Sequence, residues 1–184
     1  MKPFVSDLKA IRDRARRHIA EGAMTGSYKA DREQVIKVLN EALATELVCV
    51  LRYKRHYYMA DGLNSEAVKA EFLEHANEEQ EHADSLAERI TQLNGAPDLN
   101  PDTLMSRSHS EYAEGRDLIS MIEEDLIAER IAIETYTEIA RWLGEDDSTT
   151  RRLIERILEK EEEHAEDLAT LLARMSGTGT IAAH

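Results

Sequence analysis

Apolar residues recur in steps of three and four along four long stretches of the chain, the spacing that gathers them on one face of a helix. The first stretch carries Ile36, Leu39, Leu43, Val50, Tyr53 and Tyr57. The second carries Phe72, Leu86 and Leu93, with His75 in the same register and Arg89 in the slot between the last two. The third runs Ile119, Ile122, Leu126, Ile133, Tyr136, Ala140 and Leu143, and the fourth Ile154, Ile157, Leu168, Leu171 and Met175. Polar residues interrupt each stripe near its middle: Glu46 in the first, Glu79 and His82 in the second, Glu129 in the third, Glu161 and His164 in the fourth. The pattern predicts an all-α four-helix bundle whose helices aim carboxylates and imidazoles at one interior level.

The punctuation between the stripes predicts the topology. The first bundle helix should run from near Asp31 to Asp61 and Gly62, and the second from Asn64 or Ser65 to Asn94, with Gly95 as the left-handed residue that closes it. Residues 95 to about 110 form the longest irregular stretch, and Pro97 and Pro101 keep its first half out of helix. Short turns join the first helix to the second, and the third to the fourth around Gly144 to Ser148, so each pair forms an antiparallel hairpin. The long middle link can run back along the bundle. Ahead of it, Ser6 to Glu21 predict a short amphipathic helix with Ser6 as N-cap and Gly22 as stop. The expected division is an N-terminal extension (1–30), a bundle (31–175) and a Gly- and Thr-containing tail (176–184).

Composition narrows the function classes. The 184 residues suffice for one domain with a real core. The formal net charge is -14, which argues against a generic nucleic-acid binder and suits a protein that attracts cations. The charge is unevenly spread. Residues 1–32 hold eight Lys and Arg against four Asp and Glu, a net +4, so the rest carries -14 - 4 = -18. That basic extension reads as a subunit-contact helix, with a DNA-binding arm as the alternative. A lone cysteine, Cys49, leaves no disulfide framework and no thiolate metal site within one chain. No apolar run reaches membrane-spanning length, and Met1 to Ala20 has scattered arginines in place of a signal-peptide core. A cytoplasmic protein without membrane contact is expected.

Four isolated buried carboxylates would cost several kcal/mol each, more than a domain of ordinary stability tolerates uncompensated. The interior positions around them are mostly Leu, Ile, Val, Tyr and Ala, so two divalent cations are the economical counter-charge, with neutral imidazoles completing their shells. In Glu79-x-x-His82 and Glu161-x-x-His164 the three-residue spacing puts both side chains on one face. Each Glu can then bridge two ions while its His caps one. Glu46 and Glu129 would each be a terminal ligand. A single Glu-x-x-His in a Glu-rich helix says little, but here 33 residues separate Glu46 from Glu79 and 32 separate Glu129 from Glu161. Such matched spacing predicts two similar hairpins related by a pseudo-twofold.

This constellation matches the ferritin-like di-iron and di-manganese carboxylate bundles. More specifically, LNEALATELVCVLRY (39–53), EEQEHADSLAERITQLNGAPDL (78–99), EDLIAERIAIETY (124–136) and ILEKEEEH (157–164) resemble the bacterioferritins, over roughly residues 33–172. The resemblance implies an up-down-down-up bundle with a long crossover between its second and third helices, plus one extra N-terminal helix. It implies a ferroxidase and iron-storage subunit that oxidises Fe(II) with dioxygen or hydrogen peroxide inside a hollow homo-oligomer. Two iron ions per subunit would sit among Glu46, Glu79, His82, Glu129, Glu161 and His164, with manganese or zinc as substitutes, and Tyr53 could supply an electron. The chain departs from the family in three places. Gln80 stands where bacterioferritins carry a haem-ligating Met, so haem is not expected there. Only 20 residues follow His164, too few for the family's fifth helix. The basic N-terminal helix resembles the extensions of twelve-subunit Dps cages, which leaves twelve or twenty-four subunits open. The alternatives are a non-cage di-metal enzyme, such as a rubrerythrin-like peroxidase or manganese catalase, and a Dps-like DNA-protecting protein.

Other polar residues have plainer readings. His75 is expected to bond a neighbouring carboxylate, with an accessory iron site as the alternative. Tyr53 should pack with its hydroxyl on a ligand carboxylate. His56 reads as a surface histidine, with iron transfer as the alternative. Glu78, Glu81, Glu162 and Glu163 fall off the stripes and read as solvated, with the lining of a mineral cavity in a shell as the alternative. Trp142 and Cys49 read as packing residues.

Overall fold

The computed structural model describes residues 4–62 and 65–176. Six α-helices occur among them: α1 (Leu8–Ala15), α2 (Arg32–Met59), α3 (Ser65–Gln92), α4 (Leu104–Arg107), α5 (Leu118–Leu143) and α6 (Ser148–Met175). The four long helices start on acidic caps where the start is described. Asp31, Asp117 and Asp147 accept backbone N–H bonds from Gln34, Ser120 and Thr150, satisfying donors that a first turn leaves unpaired. At Asp117 the Ser120 hydroxyl returns the bond to the cap's own backbone, a reciprocal capping box.

Pairings across the bundle fix the direction of each helix. Between α2 and α5, Glu46 meets Tyr136 while Tyr53 meets Glu129, so the two run antiparallel. Between α3 and α6, Arg89 meets Thr150 while Glu78 meets His164, again antiparallel. With two tight hairpins, α2–α3 and α5–α6, the order is up-down-down-up, as the resemblance implies. The crossover runs along α2 in step with it. Asn40 holds Ala96 and Asp98, Thr45 accepts from the His109 backbone, and Arg52 and His56 reach the carbonyls of Glu111 and Ala113. It is longer than expected, because α5 begins only after the Asp117 cap, and it contains the short helix α4.

Two local expectations are corrected. Asn94, not Gly95, takes the left-handed conformation after α3, with φ of 59°. The Gly95 N–H then bonds the Ile90 carbonyl and the Asn94 N–H that of Thr91, a Schellman closure. Gly95 is instead needed for close approach, since a Cβ there would lie 2.9 Å from Ile36 Cγ2. The N-terminal helix is shorter than 6–21: Asp7 caps it, it stops at Ala15, and a 3-10 turn follows at Ile19–Glu21. None of its residues is buried, so no apolar face is held by packing to extend it. The tail from Gly177 onward, like Asn64, lies outside the described residues.

The core is split in two. One apolar cluster groups Leu39, Leu43, Leu86, Ile90, Tyr136 and Ile154 with their neighbours, and the other groups Cys49, Tyr53, Phe72, Ala76, Ile122 and Leu168. The interrupted level of the stripes lies between them. Ile119 at 38% and Trp142 at 50% exposed are corrections to their apolar assignments, since both face outward. Cys49 is buried as expected.

Candidate metal centre

All four carboxylates converge at that level, and each of Glu46, Glu79, Glu129 and Glu161 is at most 1% exposed. The ligand-type atoms form two quartets, each drawn together within 4.8 Å: Glu46, Glu79, His82 and Glu161 in one, Glu79, Glu129, Glu161 and His164 in the other. Glu79 and Glu161 are common to both, while Glu46 and Glu129 each belong to one. His82 Nδ1 lies 3.0 Å from Glu161, 3.3 Å from Glu79 and 3.4 Å from Glu46. His164 Nδ1 lies 3.5 Å from Glu79, 3.8 Å from Glu129 and 3.9 Å from Glu161. The two half-sites thus repeat each other about a pseudo-twofold, as the matched sequence spacing predicts.

The donor–acceptor balance of this level is poor. Glu46 Oε2, Glu79 Oε1, Glu129 Oε2, Glu161 Oε1 and His164 Nδ1 are buried with no hydrogen-bond partner. Native interiors rarely leave such atoms unpaired unless an ion completes them. Burial first, then the Glu79 charge, raises the Glu46 and Glu161 carboxyls well above the usual range. Despite burial, the neighbouring Glu129 and Glu79 carboxylates push His164 up to about 11. Protons therefore crowd into the metal-free site, and hard cations can replace them. Carboxylate and imidazole together fit iron, manganese or zinc.

The surrounding contacts orient these side chains. Tyr53 donates to Glu129 and Tyr136 donates to Glu46, each crossing between α2 and α5. Tyr53 takes the position expected of it, whereas Tyr136, on the apolar stripe of α5, adds a contact beyond packing. A signal existed, since each tyrosine follows a central Glu by seven residues on its own helix. Burial, then Glu129, holds the Tyr53 phenol well above its usual range, so it stays protonated at neutral pH. Glu78 is not merely solvated, as its position suggested: it bonds His164 Nε2 at 2.7 Å, directing Nδ1 inward. Glu81, Glu162 and Glu163 are exposed. His82, 11% exposed by side chain, borders a surface groove with Glu81, Ser85, Arg156 and Lys160. Gln80 bonds Asp84 on the surface of α3.

His75 is 2% exposed and hydrogen-bonds the Tyr53 hydroxyl at 3.2 Å, while its Nε2 lies 3.5 Å from Glu71. Burial, then His164, pushes its imidazole down to about 4. His56 is a correction: it is fully buried, not on the surface. It bonds Asp125 Oδ2 at 2.8 Å and the Ala113 carbonyl at 3.0 Å. The partner that pulls it inward, Asp125, also binds Arg52 Nε at 2.8 Å.

Residues 36–178 match the ferritin-like domain, and the chain belongs to the ferritin-like family. Within that family it is 31% identical over 142 residues to a bacterioferritin of Desulfovibrio desulfuricans, covering 77% of this chain and 75% of that one. It is 32% identical over 147 residues to a nutrient stress-induced DNA-binding protein of Nostoc, covering 78% and 80%. The solved structure of a dodecameric thioferritin, the bacterioferritin-related protein of Bacteroides fragilis, superposes with a TM-score of 0.76 at 34% identity, over 83% of this chain and 94% of that one. No helix among the described residues is long and apolar enough to cross a membrane.

Proposed function

We propose that this chain is the subunit of an iron-storing ferroxidase in which Glu46, Glu79, His82, Glu129, Glu161 and His164 hold two Fe(II) ions. The observation that carries the reading is the set of five buried, unpartnered ligand atoms within two quartets that share Glu79 and Glu161. Two divalent ions neutralise four carboxylates there. Each Fe(II) gives up one electron, and dioxygen or hydrogen peroxide takes the pair. Carboxylates suit the change because they are hard anions that hold Fe(III) as well as Fe(II). Tyr53 and Tyr136 keep the terminal carboxylates aimed inward, and Glu78 does the same for His164. The net charge of -14 draws cations toward the particle.

The subunit is proposed to assemble into a hollow homo-oligomer, as the dodecameric thioferritin does. Leu51, Ile127 and Trp142, each about half exposed on α2 and α5, would be covered there. The decisive experiment is Glu79→Ala under anaerobic Fe(II) loading followed by air. Rapid oxidation is expected to disappear while the chain remains folded, and wild-type rates in the variant would refute the assignment. Light scattering on the wild type gives the particle mass, and a dimer would refute the cage. A DNA-protecting role has one observation in its favour, helix α1, none of whose residues is buried, with Arg12 and Arg14 in its last turn. Gel retardation of DNA that vanishes on deleting residues 1–30 would establish it.

A further inference from the structure

A second convergence of ligand-type side chains lies between α3 and α6, beside the centre. One ligand atom from each of Glu71, His75 and Asp167 sits within 4.8 Å of the other two. The group is more than a patch of surface acids. His75 is buried and stacks on the His164 ring at 4.0 Å, whereas Glu71 is half-buried and Asp167 reaches solvent.

Hydrogen-bond directions show what this group lacks. The Tyr53 hydroxyl has a single proton, and Glu129 accepts it. The Tyr53 oxygen must therefore accept from His75 Nδ1, 3.2 Å away, which places the ring proton on Nδ1. In the neutral ring Nε2 is then a bare lone pair. It faces Glu71 Oε1 at 3.5 Å, and no hydrogen bond joins the two. With Asp167 alongside, three acceptors meet without a donor. Burial, then the Asp167 charge, raises the Glu71 carboxyl, the strain expected of two acids with no cation between them.

We propose that Glu71, His75 and Asp167 form a third divalent-cation site, open to solvent through Asp167 and joined to the oxidising centre by the His75–Tyr53–Glu129 hydrogen-bond chain. Two carboxylates balance one divalent ion, and a neutral imidazole with two oxygens suits Fe(II), Mn(II), Co(II) or Zn(II). An ion on Nε2 would polarise the Nδ1–H and strengthen its bond to Tyr53, so occupancy here is felt at Glu129. The proposal rests on the ferroxidase reading for the identity of the natural ion, but its geometry is independent of it.

The test is anomalous diffraction at the metal edge from crystals of the full chain soaked in Co(II). Peaks are expected at the two centre positions and at a third bounded by Glu71, His75 and Asp167. The double variant Glu71→Gln, Asp167→Asn should lose the third peak and keep the other two. Centre peaks without the third in the wild type would overturn this proposal, as would a third peak that persists in the double variant. Absent centre peaks would refute the ferroxidase reading instead, and the third position would still be read on its own.

Discussion

Two clusters of buried charge sit one turn of α5 apart, and they are balanced in opposite ways. Around Asp125 every acceptor has its donor. Arg52 Nε and His56 Nδ1 take the two carboxylate oxygens, while Arg52 Nη1 reaches Ser110 and the Glu111 carbonyl, Arg52 Nη2 reaches Cys49 Sγ and His56 Nε2 reaches the Ala113 carbonyl. Around Glu129 four carboxylates face two imidazoles, and five atoms go unpaired. Burial is equal, so burial does not mark the functional cluster. The mark is a surplus of acceptors. A satisfied cluster anchors the crossover to α2, whereas an unsatisfied one has room in its charge balance for cations.

The largest effect is expected from spoiling the balanced cluster. Asp125→Ala strands the Arg52 guanidinium, 1% exposed, and should cost about 3–5 kcal/mol in urea unfolding. Faster amide exchange at residues 110–113 should accompany it, because those contacts go with the pair. The reverse is expected at the centre. Glu161→Leu removes one surplus acceptor and should stabilise the metal-free protein by roughly 1–4 kcal/mol while removing most of the rise in Tm on adding Fe(II) or Zn(II), the remainder belonging to the Glu71, His75 and Asp167 site. Destabilisation of similar size at both positions would erase the distinction between the clusters.

The unequal legibility of the two clusters in the sequence has the same cause. Glu46, Glu79, Glu129 and Glu161 announce themselves because each breaks a helical stripe at mid-length, a signal contained within its own helix. Asp125 and His56 do not. His56 could be placed only by knowing that α5 presents Asp125 to α2, a pairing set by helix packing and not by local spacing. Glu78 escapes local spacing for the same reason, since its partner His164 lies on α6. The hairpins and the crossover followed from turn residues and loop lengths, but the length of the crossover depended on the Asp117 cap. The need for glycine at 95 depends on Ile36, from α2, occupying the space above it.

A smaller effect should appear with pH. In the unfolded chain His164 loses its proton near 6.5, whereas in the metal-free fold it keeps it to about 11. Glu46 and Glu161 are likewise raised above 4.5 by burial. The folded state therefore binds more protons than the unfolded state across this window, and stability must fall as pH rises. The Tm of the metal-free protein should decline between about pH 6.5 and 9, and bound metal should remove that slope by displacing the protons. A Tm independent of pH in the metal-free protein would contradict the crowded, protonated site.

The smallest effect separates the two halves of the centre. Tyr53→Phe and Tyr136→Phe each delete one hydroxyl that donates to a terminal carboxylate, and each should cost about 1 kcal/mol, the usual net worth of such a bond. Equal losses would suit the pseudo-twofold. The environments differ, however, because Tyr53 also accepts from His75 whereas no such imidazole meets Tyr136 among the described residues. Tyr53→Phe leaves the His75 Nδ1–H without an acceptor and frees the ring to change tautomer. Its cost should exceed that of Tyr136→Phe, and the His75 ring signals in NMR should shift in the first variant and stay in place in the second. Identical losses with no shift at His75 would reduce Tyr53 to a simple symmetry mate of Tyr136 and detach His75 from the centre.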